Sequence, residues 1–293
     1  MAGNTKEIRR RIRSITNIGQ ITKAMELVSA AKMRKAQATA LASRPYAKLS
    51  AQLLKDLVEK AKVENHPLIR KVTTETKSKV GKKVLVIVIS SDRGLAGAFN
   101  TNIVNKALSI VKAESDSKVD FITTGKKGTD ALLRMQFNII ATFPGKDKNI
   151  TGLDAEPIAV MAIDEFLAGT YEKVFVVYTN FVSTLVQKPN LVQLLPFHDE
   201  AAAVKDQEEF LFEPSSDEIL DGLIQRTIKF IVYQGLVEGA ASEHSARMVA
   251  MRNANEAAAD LLNELSLSYN QARQAGITRE LSEISAAKLA MEG

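Results

Sequence analysis

The sequence predicts an α/β protein in which a mostly parallel sheet domain is inserted between two long terminal helices that pair as an antiparallel coiled coil. Three observations predict it. All seven prolines fall between Pro45 and Pro214, so both ends lack the residue that breaks helix interiors. The middle holds four β-branched apolar runs of strand length. Those runs alternate with stretches whose apolar residues recur at helical spacing, the pattern of a parallel sheet with crossover helices.

The N-terminal helix is read from about Thr5 to about Ala61, with an adjustment at Pro45. Between residues 4 and 44 its only glycine is Gly19, and Ala, Lys, Arg, Met, Gln and Ile, mostly good helix formers, dominate the rest. At ~1.5 Å per residue it would be roughly 85 Å long, deeper than the core of one globular domain. The C-terminal helix starts after Glu213-Pro214, where Ser215 or Ser216 can cap and Asp217 and Glu218 sit at the positive end of the helix dipole. It runs to about Lys288. A lone helix owes its stability to packing, so two such helices are expected to pack on each other. Ile8, Ile12 and Ile15 follow the 4,3 spacing of a coiled-coil seam, and Leu261, Leu265 and the pair Leu267 and Tyr269 continue it near the other end. Ile18, Ile21, Met25, Val28 and Met33 drift around the helix, which predicts more than one neighbour for it.

In the middle, Val84–Ser90, Val119–Thr124, Ile139–Phe143 and Val174–Thr179 read as buried strands. The stretches Asn102–Ala113, Thr129–Met135 and Ala155–Leu167 read as the helices that join them, and Leu191–Leu195 as a fifth strand. The domain is Rossmann-like in layout. The expected organisation is residues 1–78 for the first long helix and a linker, 79–210 for the α/β domain, and 211–293 for the second long helix.

Composition narrows the function. With 45% apolar and 25% charged residues the chain is ordinary globular material, and no run approaches the ~18 apolar residues of a membrane span. The absence of cysteine excludes thiolate nucleophiles, CxxC redox centres and cysteine-ligated metals. Charge is segregated: residues 1–48 carry eleven basic side chains against Glu7 and Glu26, a net +9, which leaves −4 for the remainder of a chain that is +5 in total. A basic rod of this kind attracts nucleic acid, anionic lipid or an acidic protein surface.

Candidate chemistry is sparse. The loop Ser91-Asp92-Arg93-Gly94-Leu95-Ala96-Gly97 follows the first strand, where α/β folds bind ligands, but it carries neither GxGxxG nor GK[ST]. Gly125 and Gly128 with Lys126 and Lys127 read as a strand-to-helix turn. The three histidines, His66, His198 and His244, show no metal spacing, and no GxSxG is present. No catalytic, cofactor or metal residues are expected. A nucleotide- or phosphate-binding enzyme with helical appendages is the alternative reading, and a DNA-binding coiled coil is disfavoured by the shortage of aromatics.

Five blocks carry a resemblance over nearly the whole chain: Lys6-Glu7-Ile8-Arg9; Ile21-Thr22-Lys23-Ala24-Met25-Glu26-Leu27-Val28 with Lys32-Met33-Arg34-Lys35; Ser91-Asp92-Arg93-Gly94-Leu95; Ala246-Arg247-Met248-Val249-Ala250-Met251; and Tyr269-Asn270-Gln271-Ala272-Arg273-Gln274 with Ile277-Thr278-Arg279-Glu280-Leu281. Together they resemble the gamma subunits of F-type ATP synthases. The resemblance implies a non-catalytic central stalk that enters the ring of alpha and beta subunits, with epsilon, delta and the membrane c-ring as further partners and no nucleic acid. It also implies that Lys23, Met25, Arg247, Gln274, Thr278 and Glu280 meet catch loops of the beta subunits, and that Phe210 and Phe212 belong to the foot near epsilon and the ring. Phenylalanines stand at that foot where some relatives carry tyrosines. With no cysteine, the dithiol regulation of chloroplast relatives is excluded. The Met1-Ala2-Gly3 start, without a presequence, points to a bacterial protein, peripheral at the cytoplasmic face of the inner membrane.

Overall fold

A computed structural model describes residues 2–60, 67–69, 83–146, 149–197 and 216–292. In chain order these form α1 (Ala2–Lys60), β1 (Lys83–Ile89), α2 (Phe99–Ala113), β2 (Lys118–Thr124), α3 (Lys126–Arg134), β3 (Asn138–Phe143), α4 (Gly152–Leu167), β4 (Lys173–Phe181), β5 (Gln187–Leu195) and α5 (Ser216–Glu292). The helix and strand order is the one the sequence predicts. The chain divides into two compact units, Met1–Ser29 with Arg247–Gly293, and Ala30–Ala246.

The larger unit is built on a five-stranded sheet of order β3-β2-β1-β4-β5. β1 is parallel to β2 and β4, β2 is parallel to β3, and β5 returns antiparallel along β4. Side chains of β1 alternate between two cores. Leu85, Ile87 and Ile89 face one with α4, with Leu54 of α1 and with Ile224, Ile228 and Val232 of α5. Val84, Val86 and Val88 face the other, filled by Phe99, Ile103, Ala107 and Ile110 of α2 and Leu132 of α3. Burial on both faces explains why β1 reads as an unbroken apolar run rather than an alternation. The helices that step outward from β1 cover one face and α4, which steps back, covers the other, as crossovers of one hand require.

Three local devices fix this arrangement. Asp154 closes the start of α4 by accepting the amide of Thr151 at 2.8 Å and its hydroxyl at 3.1 Å. α1 continues through Pro45, whose neighbours are held: Arg44 is ion-paired to Glu238, and the ring of Tyr46 lies 4.4 Å from that of Phe230. α5 approaches the ends of β1 and β4 through two glycines. A Cβ at Gly235 would stand 2.9 Å from Ile89 Cδ1 and 3.3 Å from the Tyr178 ring, and one at Gly239 3.2 Å from Ile89 Cγ2.

In the smaller unit the two helical segments run antiparallel. Gly19 lies beside Asn255 and Ala258, and Arg9 meets Tyr269. The seam differs from expectation. Ile8, Ile12 and Ile15 are half-buried as predicted, but the 4,3 spacing continues strictly through Gly19, Thr22, Glu26 and Ser29, while Ile18, Ile21, Leu27 and Val28 are exposed. On α5 the inward positions are Met251, Asn255, Ala258, Leu262, Leu265, Tyr269 and Ala272, and Leu261 and Leu267 face out. Within this unit the seam keeps its register and changes from isoleucine to small and polar residues, so an apolar count follows the wrong side chains; the further neighbours expected of α1 are met in the larger unit, where Leu54 enters the sheet core and Arg44 reaches Phe181.

Candidate functional site

The enzyme-like loop after β1 can be tested against the atoms around it. Ser90 is buried, and its Oγ donates to the carbonyls of Thr124 and Gly125 at 2.7 and 2.9 Å while accepting the amide of Gly128 at 2.9 Å. Asp92 Oδ1 accepts the amides of Lys126 at 2.9 Å and Gly145 at 3.2 Å, and the Ser91 carbonyl accepts that of Lys127 at 2.9 Å. A phosphate cradle needs helix-start amides pointing at an open site. Here the amides of residues 126 to 128 are each taken by the chain itself.

The glycines of this turn have a structural cause. Gly125 sits at φ +84°, and a Cβ there would lie 2.3 Å from the Ser90 carbonyl oxygen; at Gly128 it would lie 2.5 Å from Ser90 Oγ. The pair therefore serves close packing, as the turn reading expected. The remaining cleft, lined by Asp92, Arg93, Lys146, Gly239 and Glu243 among others, holds about 120 Å³. That is below the ~300 Å³ at which small-molecule pockets begin. Leu95, in the same loop, is 64% exposed and adopts a left-handed φ of 61°, a conformation that costs an L-residue energy and turns an apolar side chain to solvent.

The expected partner residues in the smaller unit present a different chemistry. Lys23 is exposed and pairs with Glu26 at 3.0 Å one turn along, and Met25 is half-buried. Gln274, Thr278 and Glu280 are exposed on α5, the first two one turn apart and Glu280 two residues further on, where it shares a broad open groove with Lys6, Arg9, Arg273, Arg279 and Glu283. Arg247 is 6% exposed, so it is the one buried member of the set. Phe210 and Phe212 lie outside the described residues, as do His66 and His198, while His244 is buried in α5. Among the described residues no group of three His, Asp or Glu could hold a metal ion, and no helix is long and apolar enough to cross a membrane.

Sequence reasoning missed two features. The first is the exposure of Ile18, Ile21, Leu27 and Val28 on α1, each 47–61% exposed, with Lys23 the one basic side chain among them. The second is Glu238, 4% exposed between Val237 and Gly239 on α5. An acid inside so apolar a stretch was its only signal.

The geometry therefore defines a class: an α/β sheet domain in which the amides at the start of α3 are taken by the chain itself, in a chain that begins and ends in long helices. A family profile described as ATP synthase matches residues 4–291. The ATP synthase gamma chain of Roseiflexus castenholzii is 42% identical over 292 residues, 98% of each chain. That of Pelotomaculum thermopropionicum is 42% identical over 288 residues, 98% of this chain and 99% of its own. Among solved structures, a chain of the Euglena gracilis mitochondrial ATP synthase (OSCP/F1/c-ring, rotational state 3) superposes with a TM-score of 0.68 over 99% of this chain and 95% of its own, at 21% identity, and so supports the fold. The chain belongs to the ATP synthase gamma chain family.

Proposed function

We propose that this chain is the non-catalytic central-stalk rotor of an ATP synthase, coupling ion flow through a membrane c-ring to ATP synthesis or hydrolysis in a ring of alpha and beta subunits. The observation that carries the reading, beside family membership, is the smaller unit itself. It has two paired helices, a seam that changes from isoleucine to small and polar residues, and exposed Ile18, Ile21, Leu27 and Val28 on a helix whose basic side chains lie mostly on either side of them. Such a surface has little reason to persist in water without a partner to cover it.

The rotor reading makes a physical demand. A shaft moves its neighbours through different states only if it contacts each state with a different free energy, because equal contacts shift no population. An asymmetric helix pair supplies unequal contacts. Exposed polar groups such as Gln274, Thr278 and Glu280 suit contacts that must form and release, and the basic α1 suits acidic beta surfaces. Lys23, Met25 and Arg247 complete the assigned beta contacts. Epsilon, delta and the c-ring are the remaining partners, with Phe210 and Phe212 assigned to the foot. Residues 1–78 and 211–293 then serve as shaft and 79–210 as the domain beside the ring, at the cytoplasmic face of a bacterial membrane.

The test is assembly of alpha and beta subunits from the same source with and without this chain. Stable, nucleotide-hydrolysing complexes that form only when it is present would support the reading. ATP turnover by the isolated chain would refute its non-catalytic part.

A further inference from the structure

The sheet has an incomplete edge, and the two long helices complete it. β1 pairs with β4 only as far as Val88 opposite Val177, whereas β4 continues to Phe181 along β5. Beyond Val177, β4 has no strand on its β1 side among the described residues, and a sheet edge buried in this way must find other partners for its backbone groups.

Side chains from both helices supply them. Glu238 of α5 accepts the Phe181 amide on Oε2 at 2.8 Å. Arg44 of α1 donates to the Phe181 carbonyl through Nη2 at 2.6 Å. Ser242, one turn along α5 from Glu238, donates to the Thr179 carbonyl at 3.1 Å. Thr179 and Phe181 are alternate residues, so these are successive groups on one edge of the strand. The two charged side chains also grip each other, with Arg44 Nε 2.8 Å from Glu238 Oε1 and Nη2 3.0 Å from Oε2. Gln234 donates to Glu238 Oε1 at 2.9 Å, and Ser43 donates to Gln234 Oε1 at 2.6 Å. Glu238 is 4% exposed, and these donors take the place of the water its carboxylate lacks.

We propose that Arg44, Glu238 and Ser242 form a torsional lock, a surrogate strand that fixes both long helices to the end of β4 and passes load between them and the sheet. Its mechanical part rests on the rotor reading above. The geometry suits load. The bidentate guanidinium–carboxylate pair resists sliding in two directions, and the same two groups hold donor and acceptor of a single residue, so α1 cannot shift along α5 without breaking bonds to Phe181. Apolar contacts, by contrast, slide at little cost because they are not directional. The close approach at Gly235 and Gly239 places α5 near enough for a glutamate to reach the strand.

Two measurements test it, both on Glu238→Ala, Arg44→Ala and the conservative Arg44→Lys. In the isolated full chain, hydrogen exchange at residues 178–182 is expected to rise roughly tenfold in the alanine variants and less in Arg44→Lys. Unchanged exchange there overturns the lock. In the assembled ATP synthase, ATP hydrolysis should survive while ions pumped per ATP fall by roughly threefold, most against an opposing gradient. Normal pumping with raised exchange overturns the mechanical part. If an alanine variant fails to assemble, Arg44→Lys decides: it must show the same loss in smaller degree, and wild-type coupling with raised exchange would count against load transfer. Failure of the unaltered chain to enter the complex would refute the rotor reading instead, and the exchange result would still judge the lock within the fold.

Discussion

Arg9 of α1 donates a hydrogen bond from Nη2 to the Tyr269 hydroxyl at 2.5 Å, and its guanidinium lies 5.4 Å from the centroid of the same ring. The two residues are 260 positions apart in the chain. The contact joins α1 to α5 across the helix pair, and the hydrogen bond to Tyr269 raises the pKa of Arg9. Tyr269→Phe keeps the ring under the cation and removes the hydroxyl, whereas Tyr269→Ala removes both. Amide exchange across residues 5–12 and 266–276 is expected to change little in the first variant and to accelerate in the second. Equal acceleration in both would assign the contact to the hydrogen bond alone.

Glycines in the helices divide by what surrounds them. At Gly19 a Cβ would meet its nearest atoms at 3.7 and 3.8 Å, ordinary contact distance, so Gly19→Ala should stabilise the chain by about 0.5–1 kcal/mol through helix propensity. Gly235→Ala would bring a Cβ to 2.9 Å from Ile89 and 3.3 Å from Tyr178, and should destabilise by about 1–3 kcal/mol. Thermal unfolding of the two variants is expected to move in opposite directions.

Tyr171 carries an alkaline dependence. Burial, then its hydrogen bond to Asp120 Oδ2 at 3.0 Å and the charge of that carboxylate, raise its pKa above the ordinary value of 10.0. A group raised on folding contributes stability that is present below its unfolded pKa and is lost as pH rises through the folded one. Stability should therefore fall above pH ~10. The fall should be shallower in Tyr171→Phe, which also loses about 1 kcal/mol at neutral pH because Asp120 gives up a donor. Denaturant titrations at neutral and alkaline pH check both.

Asp154 carries the opposite dependence. Burial pushes its pKa up, but the hydrogen bonds from Lys146 and from the Thr151 amide and hydroxyl outweigh it, and the net shift is downward. A depressed carboxyl contributes stability present above its unfolded pKa and lost as pH falls through the folded value. Asp154→Asn should remove that acid-limb dependence and loosen the start of α4 by about 0.5–1 kcal/mol, read by unfolding between neutral and acid pH.

The fold was legible because its signals are local. Strand runs such as Val84–Ser90 and the proline-free ends need no knowledge of tertiary contacts, and β1 to β4 appear within one or two residues of expectation. The seam was not, because Gly19, Thr22 and Ser29 hold inward positions that hydrophobic counting skips, while Ile18 and Val28 attract the count and face outward. The closure of the Arg93 loop was half legible. The missing phosphate fingerprint is visible in the residues, but the occupation of each amide by Ser90, Ser91 and Asp92 depends on strands joined only in the fold. The bond between Arg44 and Glu238 spans 194 positions and left no trace beyond an acid in an apolar stretch.

The most direct test of the account is purification of the tagged chain from its own cells, with subunit identification by mass spectrometry and an ATPase assay of the product. The chain is expected to be recovered with alpha, beta and epsilon subunits, at one copy per about three beta subunits, in a complex that hydrolyses ATP. Recovery of the chain alone, with nucleotide bound beside Arg93 and turnover intact, would contradict it.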